Sequence, residues 1–188
     1  MISENACPGL DPGWEPVFRE GSWPKTILVE TILFKKVEGT MPTYTVTSLD
    51  GCLDGAKRQT IATAITRIHS ETTGAPTYFA QVIFADVKPD RYFVGGVPLH
   101  GQQLFVNGQI RAGRTRESKD ALIAQMLAAV ADAAGLKTNN IWIYIEELVP
   151  RQMVEFGNVL PEPGDEATWT AALRAEDREH MQSFGMRS

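Results

Sequence analysis

The chain has 188 residues, of which 43% are hydrophobic and 22% charged, with a formal net charge of −5. That length suffices for one domain with a real core, and the acidic balance argues against a general affinity for nucleic acid or anionic lipid. No apolar run reaches the roughly 20 residues of a membrane span, Cys7 and Cys52 cannot build a disulfide framework, and the first residues lack the basic and apolar regions of a signal peptide. The expectation is a cytoplasmic protein with neither nucleic acid nor membrane as a partner.

Residues 1–41 differ from the rest. Cys7-Pro8-Gly9, Asp11-Pro12-Gly13 and Trp23-Pro24 forbid a long helix. Thr26 to Val37 has the apolar and β-branched content of one strand, but the segment is too short to bury a core of its own. It reads as an N-terminal extension. Met41-Pro42 then leads into the strand-like run Thr43–Thr47, which looks like the start of a protein placed inside one. A proline at a chain's first position is a secondary amine that can carry a proton. Within a chain its nitrogen is an amide with no N–H and no basicity.

From residue 42 the pattern is regular. Thr43–Ser48 reads as a strand, and Asp54–Glu71 as a helix with Ile61, Ile65, Ile68 and Thr72 on one stripe. Phe79–Phe84 reads as a buried strand, and Gly95-Gly96 as the turn of a short hairpin. The order then recurs: a strand at Gln103–Ile110, a helix at Thr115–Ala134 with Leu122, Ile123, Met126, Leu127 and Val130 inward, and a strand at Asn140–Ile145. Thr115 suits an N-cap and Gly135 a helix stop. Asn107-Gly108 fits either a tight hairpin turn or a bulge in a longer strand. The fold class is α+β: two consecutive β-α-β units (42–100 and 101–149), giving a four-stranded sheet with two helices on one face. Its open edges favour assembly with other subunits. The tail, 150–188, carries a short helix near Pro150–Phe156, a Pro-rich turn at Leu160–Gly164 and a charged amphipathic helix from about Glu166 to Met181.

Several residues could carry chemistry, each with an ordinary alternative. Arg111-Ala112-Gly113-Arg114-Thr115-Arg116 precedes the second helix, where guanidinium groups, free amides and the helix dipole all favour an anion. The alternative is a solvated loop. His69 lies on the last turn of the first helix, where the dipole alone would favour it. Tyr144 falls in a strand and could be structural. Glu155, within Met153-Val154-Glu155-Phe156, could sit exposed on one helix face. Glu146-Glu147 reads as the solvated end of a strand. His100 and His180 are isolated, and no group has metal-ligand spacing.

Together these stretches resemble the tautomerase superfamily, in particular its cis-3-chloroacrylic acid dehalogenase-like branch. The resemblance runs from Pro42 to about Trp169. It is carried by Phe79–Val82, Gly95-Gly96-Val97, Leu104–Gly108, Arg111–Arg114, Ile141–Tyr144 and Gln152–Gly157. It implies a homotrimer without cofactor or metal and a small carboxylate as substrate. The branch uses a proline amine, a histidine, two arginines, a tyrosine and a glutamate, which fall here on Pro42, His69, Arg111, Arg114, Tyr144 and Glu155. The family's Asn-Gly lies within a strand, favouring the bulge at Asn107-Gly108.

The implied mechanism is addition of water to an activated carbon–carbon multiple bond. Arg111 and Arg114, aided by His69, hold the carboxylate and draw electron density toward it. Glu155 with Tyr144 activates the water, Pro42 delivers the proton, and Phe79 and Tyr78 shape the pocket. Two alternatives accompany this reading. A neutral Pro42 would favour keto–enol tautomerisation of small 2-oxo acids, and a chain that keeps residues 1–41 would be a non-catalytic homologue.

Overall fold

In a computed structural model the described residues are 42–184; the strand expected at Thr26–Val37 lies outside them. Strand β1 (Thr43–Leu49) is followed by helix α1 (Gly55–Thr73) and strand β2 (Gln81–Val87), with a short hairpin of β3 (Phe93–Val94) and β4 (Val97–Pro98). The second unit is β5 (Leu104–Arg111), α2 (Arg116–Ala134) and β6 (Ile141–Leu148). A second small hairpin, β7 (Val154–Glu155) and β8 (Asn158–Val159), precedes helices α3 (Glu166–Ala172) and α4 (Ala175–Gln182).

The sheet order is β2-β1-β5-β6. Each unit pairs its own strands in parallel, and the two units meet antiparallel through β1 and β5. The two long helices are bounded as their sequence demands. Asp54 Oδ1 accepts the Lys57 amide at 2.8 Å and Thr115 Oγ1 accepts the Ser118 amide at 3.2 Å, each satisfying an otherwise open donor. Gly74 and Gly135 end the helices in the left-handed conformation, with φ of 79° and 70°.

One core lies between sheet and helices. It joins Tyr44 and Val46 of β1, Ile61, Ile65 and Ile68 of α1, Leu104, Val106 and Ile110 of β5, and Leu122, Met126 and Val130 of α2. Removing each such side chain from water contributes roughly 1.5–3 kcal/mol. A smaller cluster, Phe79, Leu173 and Met181, fastens the tail beside the start of β2. No described helix is long and apolar enough to cross a membrane.

The structure corrects several sequence expectations. Phe79 lies in a 3-10 turn (Thr77–Phe79), and the strand after it is an edge strand with exposed positions, not a buried one. Asn107-Gly108 runs through β5 in unbroken register with both neighbours, Asn107 opposite Thr45 and Tyr144, Gly108 opposite Tyr44 and Ile145; there is no turn and no bulge. The glycine is needed for space, because a Cβ there would lie 2.5 Å from Cε1 of Tyr44. The helix expected near Pro150–Phe156 is only a 3-10 turn (Pro150–Gln152) leading into the β7–β8 hairpin. The tail helix is broken at Leu173-Arg174, whose side chains turn respectively into the small cluster and onto Asp177.

Candidate active site

Pro42 stands immediately before β1, buried, and its carbonyl accepts the Gln81 amide at 2.9 Å. Continued by one step, the β1–β5 register sets Pro42 opposite Ile110, next to Arg111. Helix α1 returns toward this end of the sheet and brings His69 and Thr73 with it. The loop after β5 adds Arg114. Its Nη1 donates to the Thr73 carbonyl at 3.1 Å, on a helix C-terminus that favours positive charge.

His69 is fully enclosed and its Nδ1 lies 2.8 Å from the hydroxyl of Tyr44, which strand alternation points into the core. Burial, reinforced by the charge of Arg114, lowers the His69 pKa to about 3, so the ring is neutral at physiological pH. Burial likewise raises the Tyr44 pKa, against a smaller opposing pull from Arg114.

Arg111 ends β5 with a different environment. Its side chain is 1% exposed. Nη2 donates to Glu166 Oε1 at 2.6 Å, and Nη1 to the Pro161 carbonyl at 2.7 Å. Glu166 also accepts the Gly164 amide with both oxygens, at 3.1 and 2.9 Å. Burial alone would raise the Glu166 pKa, but the Arg111 hydrogen bond and charge and the nearby amides outweigh it, and the net shift is downward. Arg111 therefore ties the tail to the end of the sheet.

The Arg111–Thr115 loop is shaped by two neighbours. Gly113, at φ 105°, passes so close to Pro163 that a Cβ would meet its Cγ at 2.5 Å. Glu147, exposed at the end of β6 as expected, accepts Lys119 Nζ at 2.7 Å. The Lys119 hydrogen bond, with the Arg114 and Gly113 amides, lowers the pKa of Glu147 against an upward push from partial burial.

Glu155 is half-buried on the β7–β8 hairpin, whose turn places Phe156 and Gly157 at φ 47° and 79°. A phenylalanine there costs on the order of 1 kcal/mol. The hairpin is clamped to the tail: the Phe156 ring packs edge-on against His180 (5.7 Å between centroids), and Trp169 Nε1 donates to the Val159 carbonyl at 2.8 Å.

The structure thus gathers Pro42, His69, Arg111 and Arg114 at one end of the sheet. Tyr144 stands apart. It lies on the face of β6 opposite α1 and α2, 55% exposed, with its ring 5.0 Å from that of Phe105. It lies four positions before Leu148, which pairs with Arg111, a span of about 13 Å. Phe79 is buried in the cluster with Leu173 and Met181. A small crevice of about 30 Å³ is lined by Tyr78, Phe79, Trp169 and Leu173 among others; it adjoins the tail rather than the arginines.

Two residues of this end are missing from the sequence-based set. Tyr44 could have been suspected, because a tyrosine on the apolar face of a strand needs a partner for its hydroxyl. Glu166 carries no local signal; its partner is 55 residues away.

Comparison with known proteins gives consistent findings. The family model described as a putative oxalocrotonate tautomerase enzyme matches residues 41–174. A crystal structure of N1, described as a member of the cis-3-chloroacrylic acid dehalogenase family, is 33% identical. It covers 75% of this chain and 99% of its own, with a TM-score of 0.71. Native Ps01740 is 26% identical over 60% of this chain and 99% of its own, with a TM-score of 0.57. A fused 4-OT described as a symmetric trimer is 23% identical over 63% of this chain and 94% of its own, at a TM-score of 0.56, which is a likeness of fold. No curated protein sequence matches the chain.

Proposed function

The chain belongs to the tautomerase superfamily as a protein similar to the cis-3-chloroacrylic acid dehalogenases, and from that premise we propose that it is a cofactor-independent hydratase/dehalogenase acting on a small unsaturated carboxylate such as a cis-3-haloacrylate. The observation that carries this reading is the convergence of Pro42, His69, Arg111 and Arg114 at one end of the sheet.

In this proposal Arg114 and His69 take the substrate carboxylate. Arg111, held by Glu166, adds positive potential from behind. Electron density drawn toward the carboxylate leaves the β-carbon electrophilic. Glu155 takes a proton from water and directs the oxygen at that carbon. The prolinium of a chain beginning at Pro42 delivers a proton to the α-carbon. With a haloacrylate the product is a halohydrin, which expels halide and a proton to leave malonate semialdehyde.

Assembly belongs to the same proposal. Ile83, Trp142 and Tyr144 are 45%, 43% and 55% exposed on the sheet face that no described helix covers. A homotrimer would cover that face, and a role for Tyr144 beside Glu155 calls for another copy to bring it there. A second reading is enol–keto tautomerisation of small 2-oxo acids with Pro42 as base. It is favoured by the match to a tautomerase model and by the positive charge of Arg114, which favours the neutral amine.

The test uses a chain beginning at Pro42. Arg114→Ala and Glu155→Gln each lower kcat/KM for hydration by about 10²-fold or more. Near-normal turnover by Glu155→Gln would overturn its water-activating role. Halide release far slower than ketonisation of an arylenolpyruvate would select the tautomerase reading.

A further inference from the structure

His69 has one ring nitrogen bound and one not. Nδ1 meets the Tyr44 hydroxyl at 2.8 Å, while Nε2 is buried with no hydrogen-bond partner. A buried polar atom without a partner costs about 1–3 kcal/mol and calls for a reason. The surroundings supply one. Tyr44 and His69 are 0% and 2% exposed, and their rings meet edge-on at 5.8 Å. Tyr44 is itself fixed, because Gly108 leaves room for its ring and no other residue would. The charge of Arg114 reaches both side chains.

The proton positions follow from chemistry. Burial keeps the Tyr44 phenol protonated, and Nδ1 is the acceptor it meets. A neutral imidazole that accepts at Nδ1 carries its proton at Nε2. We propose that Tyr44 is a positioning residue: by donating its hydroxyl proton to Nδ1, it holds His69 as the neutral Nε2–H tautomer, a fixed donor for one carboxylate oxygen of the substrate. A neutral donor suits this place, since an imidazolium would compete with Arg114 in the same enclosed volume. The low pKa of His69 agrees with this arrangement. The carboxylate half of the inference rests on the function proposed above; the tautomer half does not.

The test is ¹⁵N-resolved histidine NMR on the full 188-residue chain, which holds three histidines, with His69→Gln to assign the resonance. The expected result is an Nε2–H tautomer that stays neutral through pH 5, and a mixture of tautomers in Tyr44→Phe. An Nδ1–H tautomer, a cationic ring at pH 7, or an unchanged spectrum in Tyr44→Phe would overturn the proposal. The wild-type spectrum decides the matter even if the variant fails to fold. In whichever chain turns over, Tyr44→Phe raises KM for a haloacrylate roughly five- to tenfold with kcat little changed. An unchanged KM would overturn the carboxylate role. Absence of turnover in every chain would overturn the function and leave the tautomer result standing.

Discussion

Two buried polar pairs sit near the same end of the sheet and solve the problem of burial in opposite ways. Tyr44 and His69 are both neutral, and their hydrogen bond leaves Nε2 unbound. Arg111 and Glu166 are both charged, at 1% exposure each, and are further tied to the Pro161 carbonyl and the Gly164 amide. The neutral pair suits a ligand; the charged pair suits a joint between sheet and tail. Buried charge is tolerated only when paired and hydrogen-bonded. Similar residues in sequence, Arg111 and Arg114 three positions apart, are therefore given different work by the environment into which the chain folds.

The largest effect should come from breaking the charged pair. Arg111→Met leaves Glu166 buried without its cation and should cost about 3–5 kcal/mol in urea unfolding. Combining it with Glu166→Met should recover most of that loss. A double variant as unstable as the single one would contradict the joint.

The neutral pair should show itself through acid. Above pH 6.5 both folded and unfolded chains hold His69 neutral, so it contributes nothing. Below that, the unfolded chain takes a proton that the folded chain refuses until about pH 3, so stability falls as pH falls. At pH 5 the loss is roughly 2 kcal/mol, and His69→Gln should remove it. The depressed Glu166 carboxyl acts in the same direction but only below its ordinary 4.5, so the interval between 6.5 and 4.5 separates the two pairs.

Packing under the neutral pair gives a further test. Gly108→Ala places a methyl 2.5 Å from the Tyr44 ring and should cost about 1–3 kcal/mol. It should also disturb the His69 tautomer, whereas Arg111→Met should not. The smallest effect is expected at the exposed Arg67–Glu71 pair, where Arg67→Ala should change stability by no more than about 0.5 kcal/mol.

Much of this molecule was legible before folding. The two helices, their caps at Thr115 and Gly135 and the inward stripe of Ile61, Ile65 and Ile68 follow from local spacing and end chemistry. The resemblance named Pro42, His69, Arg111 and Arg114, which the fold brings to one end. What escaped were long-range facts. Arg111 looked like a ligand group because nothing near it in sequence marks Glu166 as its counter-ion. Gly108 looked like a turn or bulge because its neighbour in space, Tyr44, is 64 positions away in the chain. Glu155 reads as helical in sequence because Val154–Phe156 has no period long enough to mark a two-residue strand.

The central claim is that the chemistry needs the amine of Pro42, which the preceding residue Met41 turns into an amide in the chain as written. The most direct measurement compares the full 188-residue chain, its intact mass verified, with a chain beginning at Pro42, on cis-3-haloacrylate and on an enol substrate. The account predicts turnover by the chain beginning at Pro42 and none by the full chain. Equal turnover by both, with the full mass unchanged after assay, would contradict it.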